Sequence, residues 1–272
     1  MSEITNNAPI TVAYWSIRGL GAPLRQMVMY AGVPLNCVNY DLKTKPEGGY
    51  SPHEWFDTKP ALKAKNSLMN LPYIMDGDKL ISQSNACFVY LGKRLNMLGS
   101  SEDEEMECHQ LLCEIMDLRN KVTGVSYPGD QEKFDAFLKD IEGKNGILQK
   151  LELWLEQRIT EKGASGTFLV GEKASAPDFH LYEMLVQCTA LSEYTKQATP
   201  FLTTFPRLAF FFKSFEALPG NAKYLSSKIG SRSPLTLPFN QKMANFGGTL
   251  ELAPVDAAAY PAYEFGTYSG MY

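Results

Sequence analysis

The chain is poor in the residues from which metal centres and disulfide frameworks are built. It has three histidines, His53, His109 and His180, in 272 residues. No HxxxH or HExxH spacing occurs, so a zinc site has no ligand set and no metal is expected. The five cysteines, Cys37, Cys87, Cys108, Cys113 and Cys188, include no CxxC pair. An odd, sparse count excludes a disulfide-stapled scaffold and fits small apolar residues in cores. Gly and Pro number 21 and 16, too few for a collagen-like or low-complexity chain. Long hydrophobic runs are missing too. The longest, Ala86 to Leu91, falls far short of the ~20 residues that span a bilayer. Residues 1–9 (MSEITNNAP) have neither a basic start nor an apolar stretch, so no secretory signal is visible and a cytoplasmic location is expected. Net charge is −4, from 26 basic and 30 acidic residues, which argues against nucleic acid or a membrane surface as the main partner.

What is present is a globular composition, 44% hydrophobic and 21% charged, organised in two halves. Ile10 to Trp15 (ITVAYW) reads as a buried strand. Ser16 to Gly21 is a glycine-containing turn leading to Pro23 in the first turn of a helix, with Leu24, Met27, Val28 and Ala31 at helical spacing and Gly32 to end it. Cys37 to Leu42 alternates like a strand, Lys43 to Tyr50 is a loop, and His53 to Lys65 a helix. Leu71 to Met75 and Lys79 to Ser82 are strands joined at Asp76-Gly77, a hairpin signal. Ser84 to Leu95 is helical again. The order β-α-β-α-β-β-α predicts a two-layer α/β domain over residues 1–95, with part of its sheet antiparallel.

Residues 96–105 read as a linker and helix start. From 106 to 229 the pattern is helical, with stripes at Phe134/Phe137/Leu138/Ile141, Leu148/Leu151/Leu155/Ile159, Leu181/Leu185/Cys188 and Phe205/Leu208/Phe212/Phe215, which predicts an all-α domain. Ser175-Ala-Pro-Asp178 reads as an N-capping box, the serine oxygen accepting from a backbone N–H and the carboxylate reaching back. Residues 230–272 form an extension. No Lys or Arg follows Lys242, three acids remain (Glu251, Asp256, Glu264), and Tyr260, Tyr263, Tyr268 and Tyr272 fall in its last stretch. That segment reads as a flexible or surface-hugging tail, with a protein partner as one possible use.

The chemistry lies in three short segments. Tyr14 stands at the exit of the first strand, in YWSIRGLG. Asn70-Leu71-Pro72-Tyr73 opens the third strand; a cis bond before Pro72 would present the Leu71 backbone to an extended peptide-like ligand. Gln83-Ser84 falls where a strand ends and a helix begins, and free N–H groups with the positive dipole end attract a carboxylate there. Together these predict a site for a peptide carboxylate.

In order and spacing, YWSIRGLG, NLPYIMDG and QSNA closely resemble a cytosolic glutathione transferase, and the Tyr14-Trp15 pair with the loop 43–54 ahead of Trp55 resembles the mu class. The resemblance covers residues 9 to 246 and implies a thioredoxin-like α/β domain followed by an all-α domain. It implies an enzyme that conjugates glutathione, as co-substrate, to small hydrophobic electrophiles, in a cytoplasmic homodimer with a role in detoxification. By the same likeness Tyr14 donates a hydrogen bond to the glutathione sulfur. Leu71 pairs with the cysteinyl backbone, Gln83 and Ser84 hold the γ-glutamyl carboxylate, and Trp15, Leu20, Trp55, Lys59, Asn70 and Pro72 are other glutathione-contacting positions. Asp117 reaches the glutamyl amine of the neighbouring subunit, and Tyr127 lies over the electrophile.

Four departures from the family pattern stand out. Pro52 replaces an arginine near the glycyl carboxylate, removing a charge-assisted contact worth about 1.5–3 kcal/mol. The stretch from Trp55 to Asn70 is about two residues longer than usual. The aromatic key that enters the partner subunit is Leu68 or Met69 here. The residues beyond 247 have no counterpart. These keep a docking subunit of weak or lost catalysis, or a glutathione-dependent isomerase, as alternatives.

Overall fold

A computed structural model describes residues 8–40, 43–44, 50–126, 131–194, 201–227 and 230. Tyr127 and the tail beyond residue 230 lie outside these. The chain opens with strand β1 (Ile10–Trp15), helix α1 (Gly21–Tyr30) and strand β2 (Leu35–Tyr40). Two-residue strands β3 (Lys43–Thr44) and β4 (Tyr50–Ser51) follow, then helix α2 (His53–Lys65), strands β5 (Tyr73–Asp76) and β6 (Lys79–Ser82), and helix α3 (Ser84–Arg94). The main sheet runs β2-β1-β5-β6. β1 and β2 are parallel, as the α1 crossover requires, while β5 and β6 are antiparallel to their neighbours. The hairpin closes at Asp76↔Lys79, with Gly77 at φ 57° supplying the left-handed turn residue. This is the thioredoxin-like domain expected.

Two readings need correction. The second strand spans 35–40, two residues earlier than its alternation suggests. The segment expected as a loop from Lys43 to Tyr50 contains the paired strands β3 and β4 at its ends; two-residue strands are too short to show a period. The helical half begins at Glu102, within the stretch read as a linker and helix start, where four acidic residues in the first turn favour the helix N-terminus.

Among the described residues the elements of the second half are all helical: α4 (Glu102–Ser126), α5 (Gln131–Glu142), α6 (Ile147–Lys162), α7 (Ala176–Tyr194), α8 (Pro206–Glu216), a 3-10 turn (Pro219–Asn221) and α9 (Ala222–Ser226). The four stripes face inward, with only Ile159 and Phe212 half-buried. One continuous apolar core joins both halves, because α1 and α3 pack on α7 and α3 also packs on α4. Four cysteines are buried in it, whereas Cys113 on α4 is exposed, contrary to its reading as a core residue.

The capping box at α7 forms with one change. The Asp178 carboxylate accepts from the Ser175 N–H at 2.7 Å and from the Leu169 N–H at 2.7 Å. The Ser175 hydroxyl donates to the same carboxylate at 2.7 Å instead of accepting from the backbone. Asp178 is wholly buried, and desolvation pushes its pKa up to about 7 against the pull of the three hydrogen bonds.

Candidate active site

Tyr14 is the penultimate residue of β1, and its ring is almost fully buried. It shares a small apolar cluster with Ile17 and Leu20, against which Trp15, Leu71 and Met116 pack. Met116 comes from α4, so the tyrosine lies where the two halves of the chain meet. The turn after β1 is pressed flat on the ring. A Cβ on Gly19 would stand 2.8 Å from the Tyr14 Cε1 and 3.1 Å from its hydroxyl oxygen; one on Gly21 would stand 2.7 Å from the Tyr14 Cβ. No side chain larger than hydrogen fits at either position, and Gly19 also has φ 39°. The hydroxyl itself has no hydrogen-bond partner among the described residues.

The Leu71-Pro72 peptide is cis. In the β1–β5 register Ala13 pairs with Tyr73, so the next step sets Pro72 beside Tyr14. Leu71 packs both on the Tyr14 cluster and on a second one holding Trp55, Tyr73, Tyr40 and Met69. Trp55 is buried there, stacked on Tyr73 with centroids 6.3 Å apart. Lys59, one turn further along α2, holds its Nζ 5.3 Å from the Trp55 ring centroid and 3.4 Å from the Asn70 Oδ1. Lys59 is half-buried, held by that cation–π contact and hydrogen bond beside the segment that precedes Pro72.

The segment before Pro72 is stitched to the end of β6 by one residue the sequence reading missed. The Ser82 hydroxyl accepts from the Asn70 N–H and donates to the Asn70 carbonyl, both at 2.9 Å. A single serine in a four-residue strand carries no pattern that would have revealed this. Immediately after it, exposed Gln83 adopts φ 75°, ψ 123°, in the region that disfavours residues with a Cβ. The backbone turns there so that α3 starts at Ser84 with no side chain capping it. Its first N–H groups and dipole are therefore open to an anion.

Of the expected positions, Tyr14 and Leu20 share one cluster and Trp55 lies in the other, with Trp15 and Leu71 packed against both; Lys59 bonds Asn70, and Gln83 and Ser84 open α3. Asp117 does not join them. It is exposed on α4, one residue and about 100° of helix rotation from Met116, and faces a groove shared with Glu114, Lys121, Asp140 and Lys150. Tyr127 lies outside the described residues. Leu68 is 67% exposed and Met69 only 2%, so Leu68 is the residue free to act as a key. The sequence reading also missed two buried arginines behind the Tyr14 turn. Arg18 binds Glu183 of α7, with 2.7 Å from Nη2 to Oε2, and donates to the Gly230 carbonyl. Burial alone would lower its pKa, but Glu183 raises it overall. Arg25 reaches the turn's own carbonyls. Among the described residues, no group of three or more His, Cys, Asp or Glu side chains is placed to hold a metal.

The described residues thus form a thioredoxin-like domain, in which an uncapped helix N-terminus and a cis-proline stand near a buried tyrosine, followed by a helical domain. Comparison with known proteins gives the family. Residues 10–93 match the glutathione S-transferase N-terminal domain, and residues 116–228 the glutathione S-transferase C-terminal domain. The chain is 31% identical over 227 residues to mouse (Mus musculus) glutathione S-transferase Mu 4, covering 84% of this chain and 95% of that protein. It is 29% identical over 239 residues to human (Homo sapiens) glutathione S-transferase Mu 3, covering 88% and 95%. Among solved structures, the glutathione S-transferase Blo t 8 superposes with a TM-score of 0.68 at 24% identity, over 86% of this chain and all of that one. This chain belongs to the glutathione S-transferase family, enzymes that use glutathione as co-substrate, and its curated relatives are of the Mu class.

Proposed function

We propose that the protein conjugates glutathione to small hydrophobic electrophiles, with Tyr14 holding the co-substrate sulfur as a thiolate. The observation that carries this reading is the Tyr14 hydroxyl: its ring is fixed by the glycine turn, and its one hydrogen bond is left for a ligand. A free thiol has a pKa near 8.5, and only its thiolate attacks an electrophile. A donor aimed at the sulfur favours the charged form, each unit of lowering being worth about 1.4 kcal/mol. The sulfur then attacks the electrophilic carbon and the leaving group departs, with no covalent enzyme intermediate; the protein supplies proximity and a preorganised dipole.

The remaining roles are read on the same frame. The glutathione lies extended along Leu71-Pro72, its cysteinyl backbone against Leu71. Its γ-glutamyl carboxylate meets Gln83, Ser84 and the α3 N-terminus, and its glycyl carboxylate meets Lys59 beside Asn70 and Trp55, which substitutes for the cation absent at Pro52. Trp15 and Leu20 close the wall near the sulfur. We read the protein as a cytoplasmic homodimer in which Asp117 reaches the glutamyl amine bound by the neighbouring subunit and Leu68 enters that subunit. Tyr127 over the electrophile is proposed from the family likeness alone.

The test is Tyr14→Phe assayed with a chloronitrobenzene-type electrophile. The expected outcome is a fall in turnover of tenfold or more with glutathione binding retained; unchanged turnover removes Tyr14 from the mechanism.

A further inference from the structure

Arg25 sits on α1 with no exposed surface, and no carboxylate among the described residues pairs with it. Its guanidinium acts instead on neutral oxygens. Nη1 donates to the Ile17 carbonyl at 2.9 Å; Nη2 donates to the Trp15 carbonyl at 3.2 Å and to the Asn39 Oδ1 at 2.7 Å. The Nε–H finds no partner at all. A buried cation without a counter-ion, and with one donor unsatisfied, is costly. That cost is offset in part by the three oxygens it satisfies, all of them on one turn and the strand beside it.

What the guanidinium grips is the turn that presses on Tyr14. Trp15 and Ile17 are the first and third residues after the tyrosine, and Gly19, two further on, lies against both the ring edge and the hydroxyl. Asn39, the third acceptor, pairs with Tyr14 in the β1–β2 register, so the same fork ties the turn to the strand beside the tyrosine. We propose that Arg25 is a positioning residue for the conjugation reaction: it holds the Trp15–Gly19 turn against the Tyr14 ring and thereby fixes the direction in which the hydroxyl donates. A planar fork with fixed donor directions suits this task, and a lysine, a single rotatable ammonium, does not. Arg18, clamped to Glu183 of α7, anchors the far end of the same turn.

The inference rests on the assignment of Tyr14 as the thiolate donor, and its test separates the two. The ionisation of enzyme-bound glutathione is followed by thiolate absorbance against pH in the wild type, Arg25→Lys, Asn39→Ala and Tyr14→Phe, alongside kcat and KM for glutathione. Arg25→Lys is expected to move the bound thiol's ionisation about one unit higher and to lower kcat about tenfold below that pH, a unit being a tenfold loss of thiolate, with KM changed less than about threefold because binding contacts are made by other residues. Asn39→Ala, which frees one arm of the fork and leaves the arginine in place, is expected to shift it in the same direction by less; it decides the matter if Arg25→Lys does not fold. If Tyr14→Phe raises the ionisation and both other variants titrate like the wild type, Arg25 is structural only and the proposal is overturned. If Tyr14→Phe itself titrates like the wild type, the assignment of Tyr14 fails and the positioning role with it.

Discussion

At single positions the account turns on backbone geometry more than on side-chain chemistry. Gln83 occupies a left-handed φ that costs about 1–3 kcal/mol for a residue with a Cβ, and the open N-terminus of α3 follows directly from it. The sequence displays Gln83 and Ser84, and a resemblance assigns them a role, but the strain that orients them appears only in coordinates. Glycines were legible as a turn, whereas their contact with the Tyr14 ring was not, because it joins residues by proximity across the turn. Arg18 and Arg25 were not legible as site residues either, since a buried arginine and a solvated one look alike in a row of letters. Lys59 gives the prediction at this scale. Exposed charge pairs are worth about 0.2–1 kcal/mol, so Lys59→Ala is expected to raise KM for glutathione severalfold and leave kcat within about twofold. Steady-state kinetics with glutathione as the varied substrate checks it.

Among the elements, those with a strong period or a capping signal were readable. α2 spans His53–Lys65 as expected even with Pro60 inside it, since a chain of 13 residues with one turn weakened still buries Trp55 and Leu62. The hairpin was fixed by Asp76-Gly77. The β3 and β4 strands were not readable, because their pairing depends on tertiary proximity of two short polar segments. The start of α7 was readable from Ser175 and Asp178, but Leu169, six residues before the box, was not foreseeable as a third donor. Removing that carboxylate strips a cap, worth about 0.5–2 kcal/mol, and orphans a buried N–H, worth about 1–3 kcal/mol. Asp178→Ala is therefore expected to lower unfolding free energy by roughly 2–4 kcal/mol in a urea titration.

For the molecule as a whole, the two-domain order was legible in the switch from mixed to helical pattern, while the way the domains meet was not. His180 of α7 is buried there, stacked on Phe88 of α3 with centroids 4.6 Å apart, and neither ring nitrogen has a partner. Desolvation, aided by Arg119, lowers its pKa to about 3. The unfolded chain binds this proton below about 6.5 and the folded one does not, so His180 stabilises above that pH and the contribution is lost as pH falls towards 3. Asp178 has the opposite sign: protonated in the fold below about 7 and in the unfolded chain only below about 3.9, it destabilises as pH rises across that span. Between roughly pH 4 and 6.5 the two slopes oppose each other, each about 1.4 kcal/mol per pH unit. His180→Phe is thus expected to make stability fall more steeply with rising pH in that range than it does in the parent; denaturant melts at pH 4.5, 5.5 and 6.5 distinguish the two. At the same scale, the proposed homodimer with Leu68 as its key predicts that Leu68→Glu lowers the sedimenting mass from that of a dimer to that of a monomer, because a charge is costly to bury in an apolar seat.

The most direct test of the central claim is a structure of the protein with glutathione bound. The sulfur is expected within hydrogen-bonding distance of the Tyr14 hydroxyl, with the peptide stretched along Leu71 and its γ-glutamyl carboxylate at the start of α3. A sulfur placed elsewhere, with the tyrosine hydroxyl bonded to the protein itself, would contradict it.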